Sequence, residues 1–121
     1  MRVNSMFAAS IIAVGLALSV STPTAIAQAA EVTEGQIAAA RTAADHEAIA
    51  ASYDAEAKAA EAKAAEHKSM ANAYQGASGL KSNRDALMSH CNRLATDYRA
   101  AAKEYRSLAT EHRAMAKKVG K

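Results

Sequence analysis

Large side chains are scarce in this chain: it has no tryptophan, one phenylalanine and four tyrosines. Half of its residues count as hydrophobic, but these are mostly alanine, which gains little from burial. A thick globular core is therefore excluded. Proline occurs once, at Pro23, and the stretch from Thr42 to Gln75 holds neither proline nor glycine, so nothing there interrupts a helix. The single cysteine, Cys91, excludes an internal disulfide. Neither sign of charge dominates. Fifteen Lys and Arg face 12 Asp and Glu for a formal charge of +3, and the two signs alternate along the chain. That pattern argues against a nucleic-acid partner even with a pI near 9.1. No apolar run reaches the ~20 residues that a membrane-spanning helix needs.

What is present begins with the marks of export. Arg2 supplies a positive start, Met6 to Val20 an apolar run, and Pro23 a break before Ala25-Ile26-Ala27. Small residues at Ala25 and Ala27 fit the positions that signal peptidase reads, which places cleavage before Gln28 and makes residues 1–27 a signal peptide. Ala27-Gln28-Ala29 offers a second site two residues on. No cysteine stands near the cleavage region to carry a lipid. The expected destination is the periplasm, with no stable membrane insertion after cleavage. Loss of Arg2 lowers the formal charge to +2 over a mature chain of 94 residues.

The mature chain reads as all-α. Alanine, lysine and glutamate dominate from Thr42 to Gln75, and Thr42 with Asp45 forms a capping-box pattern. Thr33 with Gln36 offers an earlier start inside residues 28–41, a flexible or short helical segment. Gly76-Ala77-Ser78-Gly79 stops the first long helix. Ser82 with Asp85 suggests a second capping box, after which helix continues to Val119 before Gly120. The spans expected are helix 42–75, loop 76–82 and helix 83–119, an antiparallel two-helix hairpin.

A repeat runs through it. A shift of 45 residues lays Glu66-His67-Lys68-Ser69-Met70-Ala71 on Glu111-His112-Arg113-Ala114-Met115-Ala116, Ile49 on Leu94, Tyr53 on Tyr98 and His46 on Cys91. A strict 4-3 alternation marks the seam of an alanine-rich coiled coil. It runs His46, Ala50, Tyr53, Ala57, Ala60, Ala64, His67, Ala71, Tyr74, and then Cys91, Ala95, Tyr98, Ala102, Tyr105, Ala109, His112, Ala116, Val119. One position of every heptad is alanine, which lets the backbones approach to about 8 Å. Ile49, Met70, Leu94, Leu108 and Met115 flank the seam, and charged pairs of the Asp54–Lys58 kind mark the solvated faces.

The residues able to carry chemistry sit at the ends of this seam. His46 and His67 are 21 residues apart, as are Cys91 and His112. A turn centred on Gly79 pairs positions whose numbers add to 158, so His46 faces His112 at the open end and His67 faces Cys91 near the loop. Met88 and His90 adjoin Cys91, and Met70 lies one turn from His67. A thiolate with imidazoles and thioethers suits copper(I) first, and zinc if a second hairpin adds ligands. His67, Cys91, His90 and Met88 thus form one candidate metal set. His46 and His112, with Met115 near by, form a sparser second one, flanked by Asp45, Glu47, Glu66 and Glu111 as acceptors for the imidazoles.

The same residues admit a purely structural reading, with the imidazoles setting register as a buried asparagine does in coiled coils. Cys91 is then a buried thiol or links two copies. Covalent haem attachment is excluded by the absence of Cys-x-x-Cys-His, and a bis-histidine haem would need a four-helix bundle. Cys91 and His67 can be drawn as a nucleophilic pair, but two alanine-packed helices provide neither oxyanion donors nor a cleft. An enzyme is not expected.

Asp45-His46-Glu47, His90-Cys91 and Glu111-His112-Arg113-x-Met115-Ala116 resemble a group of short exported bacterial helical proteins rich in alanine, over residues 42 to 118. That resemblance implies export and a helical fold, and no particular activity. A two-helix unit with so little apolar bulk needs a staple or a partner. The expectation is a homodimer forming a four-helix bundle, or stabilisation by metal. Two functions follow: a periplasmic soft-metal binder, or a structural or interaction protein of the envelope acting as spacer or helper.

Overall fold

The computed structural model describes residues 31–121, so the signal-peptide assignment lies outside the described residues. Three helices, and no strand, make up 87% of what is described. They are α1 (Glu34–Ala39), α2 (Ala43–Gly76) and α3 (Lys81–Val119).

Local chemistry fixes where the first two begin. The Thr33 hydroxyl accepts the Gln36 N–H, and the Gln36 side chain accepts the Thr33 N–H in return. Thr42 and Asp45 repeat the arrangement at α2. Asp45 also accepts the Arg41 N–H at 2.9 Å. These backbone donors, Arg41 first and then Thr42, hold the Asp45 carboxyl below its ordinary value.

The second boundary differs from expectation. α3 starts at Lys81, ahead of the expected start at Asn83, and the connection shrinks to Ala77–Leu80. Leu80 occupies the N-cap position without a side-chain cap. The Ser82–Asp85 box does not form, because Lys81 Nζ takes the Asp85 carboxylate at 2.7 Å and Ser82 Oγ turns to Asn83. Gly79 makes the tight turn at φ +126°, a conformation that side chains disfavour. Arg84 then closes the loop by donating to the Ala77 carbonyl at 2.8 Å.

α2 and α3 lie against each other along their length, and their partners descend on α3 as they ascend on α2. His46 meets His112, Tyr53 meets Tyr105 and His67 meets Tyr98. Every buried residue of α3 (Cys91, Ala95, Ala102, Ala109, His112 and Ala116) belongs to the seam expected from the 4-3 alternation. In α2 the buried set is His46, Ala50, Tyr53, Ala57, Ala60, Ala64 and Ala71 from that seam, joined by Ile49. The interior is thus a line of methyl groups interrupted by rings.

The two flanks of this line are unlike. Residues just after the ring positions carry charge and bridge the helices: Arg106 pairs with Glu61 at 2.6 Å, and Arg113 with Asp54 at 2.6 Å. Lys68 donates to Asn92 on the same side at 3.1 Å. Asp54 therefore reaches across to α3 rather than along its own helix to Lys58. On the other flank of α3 Leu87, Leu94, Ala101, Leu108 and Met115 recur every seven residues. Leu87, Leu94, Leu108 and Met115 remain 41–43% exposed.

The N-terminal segment covers Ile49 of α2 and the seam beside it at the open end, and leaves Leu108 and Met115 exposed. Ala40, Ile49, Ala50, Tyr53 and Ala109 form one buried cluster, with Val32 and Tyr105 packed against it. The Val32 N–H donates to Glu56 at 3.1 Å and ties the segment down. Arg41 satisfies the end of α1 by donating to the Ala38 and Ala40 carbonyls.

Candidate functional site

The seam's polar residues gather into two unequal groups. At the open end, the 4-3 spacing points His46 and His112 at each other across the helix pair. Their Nδ1 atoms stand 3.1 Å apart. Both rings are buried, His46 to 9% exposure and His112 to 7%. One nitrogen must donate and the other accept, so the pair holds two different tautomers when neutral. The ring centroids are 5.4 Å apart, and Tyr53 packs its ring 5.8 Å from that of His112. Tyr53 also stacks on Tyr105 at 6.2 Å. Burial, followed by the neighbouring His46 charge, lowers the His112 pKa below its ordinary value.

Charged groups surround this pair without entering it. Asp45 lies close enough to His46 for their charges to interact. Arg113, next to His112, is engaged by Asp54 and lies 3.7 Å from Glu47. Tyr105, one turn along α3 from Ala109, has its phenol pKa raised by burial first and by the Glu56 carboxylate second.

Near the loop the arrangement is looser. His67 is half-buried and stacks on Tyr98, with centroids 5.5 Å apart and planes 8° from parallel. Its Nδ1 is buried with no hydrogen-bond partner among the described residues, Cys91 Sγ included. Side chains on a helix lean toward its N-terminus. His67 leans toward the open end and Tyr98 toward the loop, which brings together residues one heptad out of the register that pairs His67 with Cys91. Cys91 is buried as a free thiol. Met88 is half-buried and His90 is exposed.

Of the six candidate ligands, then, a hydrogen bond joins His46 with His112, while His67 Nδ1 has no hydrogen-bond partner among the described residues. Among the described residues no three His, Cys, Asp or Glu side chains stand together as metal ligands. The tyrosines are the functional neighbours that sequence reasoning leaves out. Their signal is the seven-residue step from Tyr53 to His46 and from Tyr98 to Cys91, which puts a ring beside each end group.

The described surface carries shallow hollows. One of about 340 Å³ lies over Arg99, Lys103, Arg106, Ser107, Thr110 and Glu111 of α3. Another, of about 270 Å³, lies between α1 and α2 over Ala40, Asp45 and Ile49. No described helix is long and apolar enough to cross a membrane.

No protein-family model matches the chain, and neither the curated proteins nor the solved structures contain a match, so the likeness to short exported alanine-rich proteins rests on sequence alone.

Proposed function

We propose that the chain is an exported, non-catalytic structural or interaction protein of the cell envelope. In this reading it is an antiparallel, alanine-seamed helical hairpin that associates with a second copy into a four-helix bundle. The observation that carries the proposal is the exposed apolar flank of α3, Leu87, Leu94, Leu108 and Met115. Apolar residues at two seam positions and one flank per heptad are the pattern of a helix in a bundle of more than two. The opposite flank is occupied by interhelical ion pairs, so the extra partner belongs on the leucine side.

A second copy suits that side better than the chain's own leader. Cleavage before Gln28 leaves four residues ahead of Val32, about 13 Å of extended chain. From Val32, beside Tyr105, that reach ends short of Leu87, 18 residues or ~27 Å along α3. A second copy brings the same leucine row, and isologous pairing of equal surfaces is the commonest way to close an oligomer.

Sedimentation velocity tests the proposal directly. The purified protein is expected to run as a dimer at micromolar concentration, and the Leu94→Glu/Leu108→Glu variant as a monomer of unchanged helicity. A wild-type protein that stays monomeric to high concentration overturns it. Mass spectrometry of the cell fractions should find a periplasmic chain beginning at Gln28, and a chain that keeps Met1 and stays in the cytoplasm would remove the export reading.

A further inference from the structure

The pair at the open end has a property that a spacer does not need. Two imidazole nitrogens 3.1 Å apart share one hydrogen-bond line, so both Nδ1 lone-pair directions converge on one point between the helices. A proton occupies that point in the neutral pair. An ion that prefers two nitrogens in line can take the proton's place. We propose that His46 Nδ1 and His112 Nδ1 form a two-coordinate site for a soft monovalent d10 cation of the copper(I) class. The proposal goes beyond the structural reading above and does not depend on it, since both ligands come from one chain.

Coordination number selects the ion. Zinc requires four ligands, and no third His, Cys, Asp or Glu joins this pair among the described residues. Burial to 9% and 7% exposure leaves little room for two waters to complete a tetrahedron. Copper(I) is the soft member of the first-row set and accepts imidazole. Metal–nitrogen bonds of ~2.0 Å, as for imidazole on zinc, put linear ligands about 4 Å apart, so the rings must separate by roughly 1 Å. Their seam neighbours one turn away are Ala50, Ala109 and Ala116, small residues that obstruct such a ring movement little.

The proton balance is simple. In the neutral pair one ring carries hydrogen on Nδ1 and the other on Nε2. Binding moves the first proton to Nε2 of its own ring, so both Nδ1 lone pairs face the ion and no net proton is released. A pair that has taken an extra proton releases it on binding. The copper enters and remains as copper(I), without electron transfer. Asp45 near His46 balances the added positive charge.

Silver(I), a redox-inert member of the same class, provides the test. It is titrated into the full purified protein carrying Cys91→Ser, which removes the competing thiol. Long-range proton–nitrogen spectra of the histidines report which ring nitrogens bind. One ion per chain is expected, with the Nδ1 signals of both His46 and His112 shifted and those of His67 and His90 unmoved. His46→Leu and His112→Leu should each weaken binding at least tenfold. Three results overturn the site: loss of binding with Cys91→Ser, one ion per two chains, or shifts on His67 or His90. The nitrogen spectra need neither histidine replaced, so they decide the question even where a leucine variant unfolds.

Discussion

The two halves of the duplicated unit hold equivalent residues in unequal surroundings. Ile49 and Leu94 occupy the same position of the 45-residue repeat, yet Ile49 is 5% exposed and Leu94 is 41% exposed. Tyr53 is buried and Tyr98 half-buried. His112 meets another imidazole, while its equivalent His67 meets a tyrosine. What distinguishes these surroundings is the segment from Val32 to Ala40, which packs on Ile49 and Tyr53 of the first copy and on Ala109 of the second, and so covers the open end of the helix pair and not the loop end. A repeated sequence therefore specifies a repeated seam, and a short unrepeated segment decides which end of it becomes a core.

Enlarging the seam should expose this difference most. Ala109 is fully buried within the cluster of Ala40, Ile49, Ala50 and Tyr53. Ala64 is buried to 2% farther along the seam, outside that cluster. Overpacking costs ~1–3 kcal/mol, and Ala109→Leu should reach the top of that range because the segment above it has nowhere to go. Ala64→Leu should fall at the bottom, since the helices can part there. Urea unfolding followed by circular dichroism compares them. Equal losses would mean that the covering segment adds no constraint.

Breaking the imidazole pair comes next. His112→Ala leaves the buried His46 nitrogen without its partner, at ~1–3 kcal/mol. His67→Ala removes a ring whose Nδ1 already lacks one, and should cost less. The same pair sets a pH dependence. The folded His112 pKa lies below its ordinary value, so the unfolded chain binds more protons and stability rises with pH. Stability is lost as pH falls through about 6.5, the unfolded value, toward the lower folded one. The groups facing the pair are Asp45, Glu47, Arg113 and Tyr53, and the Asp45 carboxyl is held below its ordinary value by the Arg41 and Thr42 N–H groups. Melting curves from pH 7 to pH 5 should fall for the wild type and flatten for His112→Leu. A parallel fall in both would place the sensitive group elsewhere.

The same contrasts separate what the residues foretold from what packing decided. The seam was legible because alanine at one position of each heptad leaves few other ways to pair two helices. The His46–His112 contact followed from the same spacing. His67 and Cys91 sat at equally matched numbers, but a register sum takes no account of the lean of side chains toward each helix N-terminus, which sends His67 to Tyr98. The interhelical pairs of Arg106 and Arg113 were hidden because a carboxylate four residues from a lysine looks the same whether or not a guanidinium waits across the seam. Burial of Ile49 was equally hidden, since no periodicity in Val32–Ala40 says where that segment will lie.

The smallest effects concern how the two long helices begin. Thr42→Ala removes the cap of α2 and should cost ~1 kcal/mol, because the Asp45 N–H loses the hydroxyl it uses at 3.1 Å. Ser82→Ala should leave the unfolding midpoint where it is, although the same Ser/Thr-x-x-Asp pattern stands there. Its hydroxyl touches only Asn83, and Asp85 is held by Lys81 instead. The N-cap of α3 is Leu80, with its backbone N-terminal donors uncapped by any side chain. Replacing that exposed leucine by serine should therefore stabilise the protein by ~0.5–1 kcal/mol, the usual gain from an N-cap. If Ser82→Ala destabilised as much as Thr42→Ala, the start of α3 would have to lie nearer residue 83. The loop end would then be capped like the open end, and the contrast between the two ends would narrow to the covering segment alone.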